Sequence, residues 1–319
     1  MPDFNTHKIP TFLGINDAPR EPTANLAGNG SNIIHHFNNL IDELNTKVPD
    51  RILDTDGYEF GIAWHVNSAT GDDNGNGFDR PFRTLDKALA VATNIKNSAG
   101  IARNILLAPG NYFGVNLPGF LPVSSADVIS IASVSGNASD VSIQGYLPIS
   151  FHSPGNYCLK NVRLKGAFYN GVCIFLNGAK IQLDNVIFGA AGSADATIHI
   201  EAHNHSIVEV LSNYNIEGSV TKNHVLLDSF SFMDISYASP NEGRAIDVTN
   251  FTGSGQAFAV LQRSSYLSCW NTSFSGINEQ ISGKKFLLTG NSTIDTAGKD
   301  LNFFPGNQQG QALQGSQYF

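Results

Sequence analysis

Short phrases of alternating polar and apolar positions recur between residues 141 and 296. In each phrase a polar residue is followed by an apolar or β-prone residue, one spacer and a second such residue. Because neighbouring side chains on a strand point to opposite faces, both members of a pair face the same way. The polar positions are Asn161, Asn185, Asn213, Asp234 and Asn271, and the pairs are Val162/Leu164, Val186/Phe188, Tyr214/Ile216, Ile235/Tyr237 and Thr272/Phe274.

The spacing of these phrases predicts a solenoid. The polar positions are 24, 28, 21 and 37 residues apart, and periods of roughly 20–50 residues are typical of stacked coils. An amphipathic helix of three turns does not fit within such periods. We therefore predict an all-β, right-handed parallel β-helix with the apolar pairs inside. The polar column is predicted to form a ladder at a corner, because short amides tolerate the left-handed conformation.

An amphipathic helix is predicted near the N-terminus, after an extended arm rich in proline and glycine. Its apolar positions recur at steps of three and four, which places them on one stripe. A single helix cannot bury such a stripe, so we expect it to pack on the solenoid or on copies of itself, as in a short trimeric coiled coil. The predicted trimerisation and anchor residues are Ile33, Ile34, Phe37, Leu40, Ile41 and Leu44.

The pattern divides the chain into four segments. Residues 1–50 are the anchor arm and oligomerising helix, and residues 51–113 are a linker and the solenoid entry with a capping helix. Residues 114–298 are the β-helix body, and residues 299–319 are a Gln/Gly-rich tail. Two interpretations of the tail stay open: a frayed end, or a segment that wraps the last coil or a neighbouring subunit. Its anchors in the second case are Phe303, Phe304 and Phe319.

The composition argues against several classes of protein, among them nucleic-acid-binding, membrane-spanning and disulfide-rich proteins. The chain has 319 residues, only 14% of them charged, and a net charge of −8, which argues against a nucleic-acid partner. We predict no membrane insertion, because no apolar run is long enough to span a bilayer. The first residues lack the apolar core of a classical signal peptide. Three cysteines do not make a disulfide framework, so we expect folding in a reducing cytoplasm.

Two constellations were considered as metal sites. The loop at residues 72–79 has the first oxygen positions of a calcium loop, but its twelfth position is Arg83, where a bidentate glutamate is needed. A turn-rich loop is therefore favoured. His199, His203 and His205 would meet their copies around a metal in a trimer, but the polar residues beside them indicate a turn. We predict no metal and no cofactor.

The outward positions were compared for paired carboxylates, which polysaccharide hydrolases require. With the phrases aligned, no two adjacent coils present carboxylates at equivalent positions. Asp234 is assigned to the corner column, and Glu201 and Glu209 have no matched partner. No catalytic residue is predicted, which favours a non-catalytic protein, although a site assembled between subunits escapes this comparison. Met233 and Trp270 are predicted to point outward and to contact another chain or a sugar ring.

The order of motifs from Trp64 to Thr296 resembles the pectate-lyase-like parallel β-helix family, which includes many phage tailspikes. The entry carries a strand, an Asp/Gly/Asn loop, Pro81-Phe-Arg-Thr-Leu-Asp-Lys-Ala-Leu89, a further strand and Pro109-Gly-Asn-Tyr112. The resemblance implies a helix that caps the open end of the solenoid, which shields a terminal coil from edge pairing. It does not imply one activity, because the fold hosts lyases, hydrolases and non-catalytic adhesins.

The run from Ile9 to Pro19 resembles the N-terminal runs of phage and cyanobacterial prophage-like proteins. This resemblance implies a homotrimeric tail fibre or small tailspike in the virion, made in the host cytoplasm. Residues 1–50 would dock to a tail or baseplate protein, and the β-helix would contact host cell-surface polysaccharide. Two alternatives stay open: a polysaccharide depolymerase, either lyase or glycoside hydrolase, and a monomeric cellular surface β-helix.

Overall fold

The computed structural model describes residues 61–94, 102–120, 127–152, 154–166, 171–189, 196–218, 220–236, 244–277 and 281–319. Nearly all of them fall in one unit, Ala63–Phe319. The predicted arm and the oligomerising helix with its six seam residues lie outside the described residues, and so does Tyr237. Within the described ranges, no helix has the length and apolar character needed to cross a membrane.

The described strands are parallel and form three stacks, which we call the first, second and third sheets. The first sheet contains β1 (Gly61–Val66), β2 (Ala102–Leu107), β4 (Ile129–Ser133), β6 (Asn156–Lys160), β9 (Lys180–Asp184), β12 (Ile207–Val210), β15 (Phe232–Asp234), β18 (Tyr266–Ser268), β21 (Thr293–Asp295) and β23 (Gln317–Tyr318). The second contains β7 (Arg163–Gly166), β10 (Ile187–Gly189), β13 (Tyr214–Ile216), β16 (Arg244–Asp247) and β19 (Thr272–Ser275). The third contains β8 (Val172–Asn177), β11 (Ala196–His203), β14 (Val220–Leu227), β17 (Gly253–Leu261), β20 (Ser282–Leu288) and β22 (Gln311–Ala312).

The second and third sheets are joined at two long strands, β3 (Gly110–Leu117) and β5 (Val141–Phe151). The first part of β5 pairs with β7 and its last part pairs with β8. From β6 to β21 the chain visits the first, second and third sheets in turn, so that each circuit is one coil of a solenoid, and after β21 it continues with β22 of the third sheet and β23 of the first. The all-β parallel β-helix predicted from the sequence is confirmed.

The entry helix α1 (Leu85–Asn94) packs against β2 and β3 and buries Leu85 and Leu89. Its N-terminus is held by the loop that resembles a calcium site. The carboxylate of Asp73 accepts hydrogen bonds from the amides of Arg83 and Thr84 at 2.9 Å each and from the Thr84 hydroxyl. The helix cap is Thr84, whose Oγ1 accepts the Lys87 amide at 3.3 Å, and the Asp73 carboxylate holds this capping residue in place.

The predicted apolar pairs line the interior of the second sheet. Val162, Leu164, Val186 and Phe188 are fully buried. Strand pairing gives the real coil lengths. Partners in the second sheet are 24 residues apart from Leu164 to Phe188, 28 from Phe188 to Ile216, 32 from Tyr214 to Ile246 and 28 from Ile246 to Phe274.

The prediction that the fourth phrase stacks with the others on the second sheet is wrong. Ile235 is buried, but it follows β15 of the first sheet. The corresponding second-sheet strand is β16, which carries Ile246 in the core. Asp234 lies inside β15 and its Oδ1 accepts the amide of Ser236 at 2.7 Å. The assignment of Asp234 to the corner column is therefore wrong.

The asparagine ladder is present over part of its predicted length. Asn161, Asn185 and Asn271 have φ of 53°, 52° and 52°, in the left-handed region. The Asn185 side-chain amide donates to Asn161 Oδ1 at 2.7 Å. Asn213 is not among the described residues with positive φ, and its Oδ1 instead accepts the amide of Ala245 one coil further on, at 2.9 Å.

A second ladder, built from serines, was not predicted. From Asn204 onward, the turns between the third and first sheets hold two residues with left-handed φ, followed by a serine that is buried in every turn except the last, at Ser316. The Ser265 hydroxyl donates to Gln262 O at 2.7 Å and accepts the amide of Ser231, while the Ser265 amide donates to Ser292 Oγ at 3.2 Å. The serines of this column are Ser206, Ser231, Ser265, Ser292 and Ser316. The Ser265 hydroxyl thus closes its own turn, whereas the bonds between serines join one coil to the next and fix the stacking of successive turns.

The C-terminal tail continues the solenoid. β22 pairs with β20, and β23 pairs with β21. Phe304 is fully buried, whereas the Phe319 side chain is exposed and only its backbone is bonded, with its carbonyl accepting the Thr296 amide. The structure thus favours a tail that wraps the last coil of its own chain.

We expect Ser265→Ala to lower the free energy of unfolding by about 1–2 kcal/mol, because it leaves a buried amide without its acceptor. Urea denaturation measures this loss. Ser264→Ala is the matched control: it removes the neighbouring exposed hydroxyl and should change the free energy by less than about 0.5 kcal/mol. Equal effects of the two changes would contradict the role of the column.

Candidate functional site

A groove of about 640 Å³ runs along the outer surface of the third sheet. It crosses β5, β8, β11, β14 and β17, which at about 4.8 Å between strands gives a length of about 19 Å. Tyr146 and Lys222 lie at one edge, near the starts of the strand segments. His152 and Gln262 lie at the other edge, where the strands end.

The floor of the groove is apolar with one carboxylate in it. Strand register places Phe175, Glu201, Leu226 and Val260 side by side on successive coils. The Glu201 side chain is 18% exposed. Burying a carboxylate among apolar side chains is unfavourable unless it gains partners, so Glu201 needs a hydrogen-bond partner at this position.

The partner of Glu201 is His203, two residues further along β11. His203 Nε2 lies 2.8 Å from Glu201 Oε1, and His203 Nδ1 lies 3.2 Å from Asp228 Oδ2. Asp228 is in turn held by Arg263, whose Nε donates to Oδ1 at 2.5 Å while its Nη2 contacts Oδ2. We call Glu201, His203, Asp228 and Arg263 the charged cluster. It links three successive coils at one edge of the groove.

The charged cluster shifts two ionisation equilibria. The hydrogen bond to Glu201 raises the pKa of His203 above its usual value, with Asp228 adding to the effect and partial burial opposing it. Burial raises the pKa of Asp228, but hydrogen bonds and charge from Arg263 and His203 outweigh it, so this pKa is lowered overall. His203 therefore tends to be cationic between two carboxylates.

Aromatic rings and amides supply the remaining surface of the groove. The Phe175 ring lies between His152 and His203, with centroid distances of 5.1 and 5.6 Å. Tyr146 is 56% exposed at the rim. The polar lining residues are Thr197, Asn223, Gln256 and Gln262. An apolar, aromatic floor with a few convergent polar groups is typical of a ligand site.

The two predicted contact residues have different outcomes. Met233 is fully buried, so its predicted outward position is wrong: it lies in β15, at a register position whose partners Val208 and Leu267 also face the core. Trp270 is 50% exposed, as expected of an outward side chain. Burial raises the pKa of Asp295, but hydrogen bonds from the Ala297 amide and from the side chains of Trp270 and Tyr266 lower it overall. The role of Trp270 as a contact stays a prediction.

The expectation that adjacent coils lack matched outward carboxylates is wrong. Glu209 of β12 and Asp234 of β15 are direct register partners on the first sheet. The misplaced fourth phrase concealed this pair. Glu209 is already engaged, since Lys180 Nζ lies 2.7 Å away and Gln182 Nε2 donates to it at 2.9 Å. Glu201 and Glu209, read from the sequence as one strand region, lie on different sheets.

The three histidines considered as metal ligands have separate environments. His199 is fully buried and its Nδ1 lies 2.9 Å from Nδ1 of His224, which also bonds the Tyr214 hydroxyl. His203 belongs to the charged cluster. His205 is exposed and stacks on Phe230 at 5.2 Å. Among the described residues, no group of three or more potential ligands has metal-binding geometry.

The groove was missed because its residues come from strands that the repeated phrase does not mark. One signal was present in the sequence. Glu201 and His203 alternate with the buried Ile200 and Ala202, and Asp228 follows His203 by 25 residues, which is one coil. Such a spacing places His203 and Asp228 side by side on neighbouring coils.

Comparisons with known proteins add little to this geometry. No protein family matches the sequence, and no curated protein matches it. Among solved structures, the chain is similar to pectin methylesterase from Aspergillus niger in deglycosylated form, at 12% identity over 79% of this chain and 90% of that chain, with a TM-score of 0.35. So distant a similarity carries no argument about function, and the fold rests on the strand pairing described above.

The buried pair of histidines predicts acid sensitivity. Burial lowers the pKa of His199 to about 3 and holds that of His224 well below its usual value, with the charge of His199 adding to the effect. The unfolded chain therefore binds more protons below pH about 6.5, and stability falls as the pH falls. For His199 alone we expect a loss of about 2 kcal/mol between pH 7 and 5. Urea denaturation at both pH values measures it.

In His199→Phe the loss between the two pH values should shrink by about 2 kcal/mol. His205→Gln is the control and should keep the parental loss. His203 has a raised pKa and therefore stabilises the fold at low pH. Both variants keep His203, so this opposite contribution cancels when the loss of stability in each variant is compared with the loss in the parent protein. A His199→Phe variant that keeps the parental loss of stability would contradict the neutral, buried state of the pair.

Proposed function

We propose that this protein is a glycan-binding β-helix of the tailspike kind, and that the groove of the third sheet holds a linear oligosaccharide. The observation that carries the proposal is the combination within one elongated groove of an aromatic floor, a rim of amides and a single oriented carboxylate. Phe175 and Glu201 lie side by side at its centre.

The surface of the groove matches the chemistry of a sugar chain. A sugar ring has apolar C–H faces that pack on aromatic rings, and hydroxyl edges that donate to carboxylates and amides. Phe175 and Tyr146 provide the rings, and Glu201, Gln256 and Gln262 provide the polar partners. Bases stacked on aromatic rings would need a positive groove to hold their phosphates, and Lys222 is the one lysine or arginine among its lining residues in the described structure.

The place of the protein in a virion is part of this proposal and rests on the resemblance of its N-terminal run. Residues 1–50 dock to a tail or baseplate protein, the chain forms a homotrimer, and the β-helix faces the host cell. Side chains available for association are exposed on the solenoid: Phe113 is 83%, Phe230 58% and Trp270 50% exposed.

A polysaccharide depolymerase is the second candidate function, and one observation favours it. Glu201 lies in the groove in direct contact with His203, so a proton can pass between an acid and a base beside a bound sugar chain. The second carboxylate of the cluster, Asp228, is 4% exposed and bonded to Arg263. Among the described lining residues, Glu201 therefore has no second free carboxylate across the groove, and hydrolases need two.

We expect the full chain to bind a host-surface or model polysaccharide on a glycan array, and Phe175→Ala to weaken this binding about tenfold, because an aromatic anchor is lost. Glu201→Gln should weaken it by a similar factor through the loss of a charged acceptor. Phe230→Ala is the control, since it removes an exposed ring outside the groove.

Products distinguish the two functions in the same samples. New reducing ends, or unsaturated products that absorb in the ultraviolet, would establish a depolymerase, provided that Glu201→Gln abolishes them. Binding without products supports the adhesin. Parental binding by both groove variants would contradict the groove as the binding site.

A homotrimer predicts a solution mass of about 103 kDa by light scattering, three times 34.2 kDa. A chain that begins at Arg51 should lose the trimer if residues 1–50 hold the subunits together. A trimer that survives this truncation would place the interface on the solenoid or tail, and a monomeric full chain would contradict the fibre proposal.

A further inference from the structure

We propose that His203 is a positioning residue that holds Glu201 ready for a sugar hydroxyl, so that the groove loses affinity when His203 gives up its proton. The inference rests on the glycan-binding function proposed above. It adds a regulation of that site by pH.

The geometry gives His203 this role. With both ring nitrogens protonated, Nε2–H donates to Glu201 Oε1 at 2.8 Å and Nδ1–H donates to Asp228 Oδ2 at 3.2 Å. One oxygen of Glu201 is then fixed and the other is available to the groove. Asp228 is 4% exposed and held from its other side by Arg263. The imidazole is therefore anchored on the rigid edge of the sheet and positions the carboxylate on the floor.

The charges around His203 come from each element that packs on it. Glu201 belongs to its own strand β11, Asp228 follows β14, and Arg263 follows β17 and reaches His203 through Asp228. On the remaining side the Phe175 ring of β8 separates His203 from His152. Two carboxylates thus bond the imidazole directly, whereas the single cation of this set is already bonded to one of them.

Loss of the proton breaks one of the two hydrogen bonds. A neutral imidazole has one N–H and one lone pair, so a nitrogen without a proton then faces a carboxylate oxygen. Asp228 keeps Arg263 as a partner, whereas Glu201 has no other hydrogen-bond donor among the described residues and is the carboxylate that moves. A mobile carboxylate must be ordered again when a ligand binds, and this lowers affinity. Binding should therefore be strongest at low pH and weaken as the pH rises through the raised pKa of His203.

The test measures binding of immobilised gluco-, manno-, galacto- and rhamno-hexasaccharides to the full chain from pH about 6 to about 9. We expect the affinity of the parent protein for the probe it binds to fall about tenfold over this range, which is the size of one charge-assisted hydrogen bond. His203→Gln keeps one amide donor toward Glu201 at every pH and should bind with a flat profile. His205→Gln, on the same turn but outside the groove, should keep the parental profile.

Nuclear magnetic resonance of the histidine rings supplies a readout without ligand. Glu201→Gln should lower the pKa of His203 in the free protein. If Glu201→Gln leaves the titration of His203 unchanged, or if His203→Gln keeps the parental pH profile, the inference is overturned while glycan binding stands. If no hexasaccharide binds at any pH, the proposed function and the inference fail together.

Discussion

The hydrogen bonding between equivalent residues of successive coils is the constraint on which this structure depends. Parallel pairing alone leaves the register of each coil open to slippage. The serine column fixes this register, because Ser265 accepts the amide of Ser231 on the coil before it and donates its own amide to Ser292 on the coil after it, and the Ser292 amide donates to Ser316 in the same way. The serines of the column follow turns in which two residues have left-handed φ. This backbone conformation costs about 1–2 kcal/mol for each residue other than glycine. With the register fixed, side chains at the same position of successive coils lie beside each other and form a column along the solenoid.

Outward side chains at equivalent positions of successive coils together form a continuous surface. On the third sheet a continuous outward column runs from Phe175 through Glu201 to Leu226 and Val260. The adjacent column brings His203 beside Asp228 without any turn or loop to position them. Glu201 is the one charged side chain in this floor column, and it is held by a histidine that is itself held by a carboxylate and an arginine. A rigid groove with an oriented carboxylate follows from register alone, and such preorganisation is what a binding site for hydroxyl groups requires.

The sequence predicted those parts of the fold that depend only on residues close together in the chain. Asn161 and Asn185 mark corners because asparagine tolerates positive φ, and the apolar pairs after them face the core whatever the neighbouring coils do. Asp234 precedes a pair of β-prone residues as the corner asparagines do, and it was therefore assigned to the corner column. For this reason β16 and the outward pair of Glu209 and Asp234 were not predicted. The groove was hidden for a different reason. The register shifts between β11 and β14 and between β17 and β20, so equivalent outward positions at the starts of these strands cannot be counted from the sequence.

The most direct test of the account is a crystal structure of the full chain soaked with the hexasaccharide that binds best. The account predicts sugar rings along the third sheet, one of them over Phe175 and with a hydroxyl within hydrogen-bond distance of Glu201. A saccharide on another surface, with the groove empty or filled by a second copy of the chain, would contradict it.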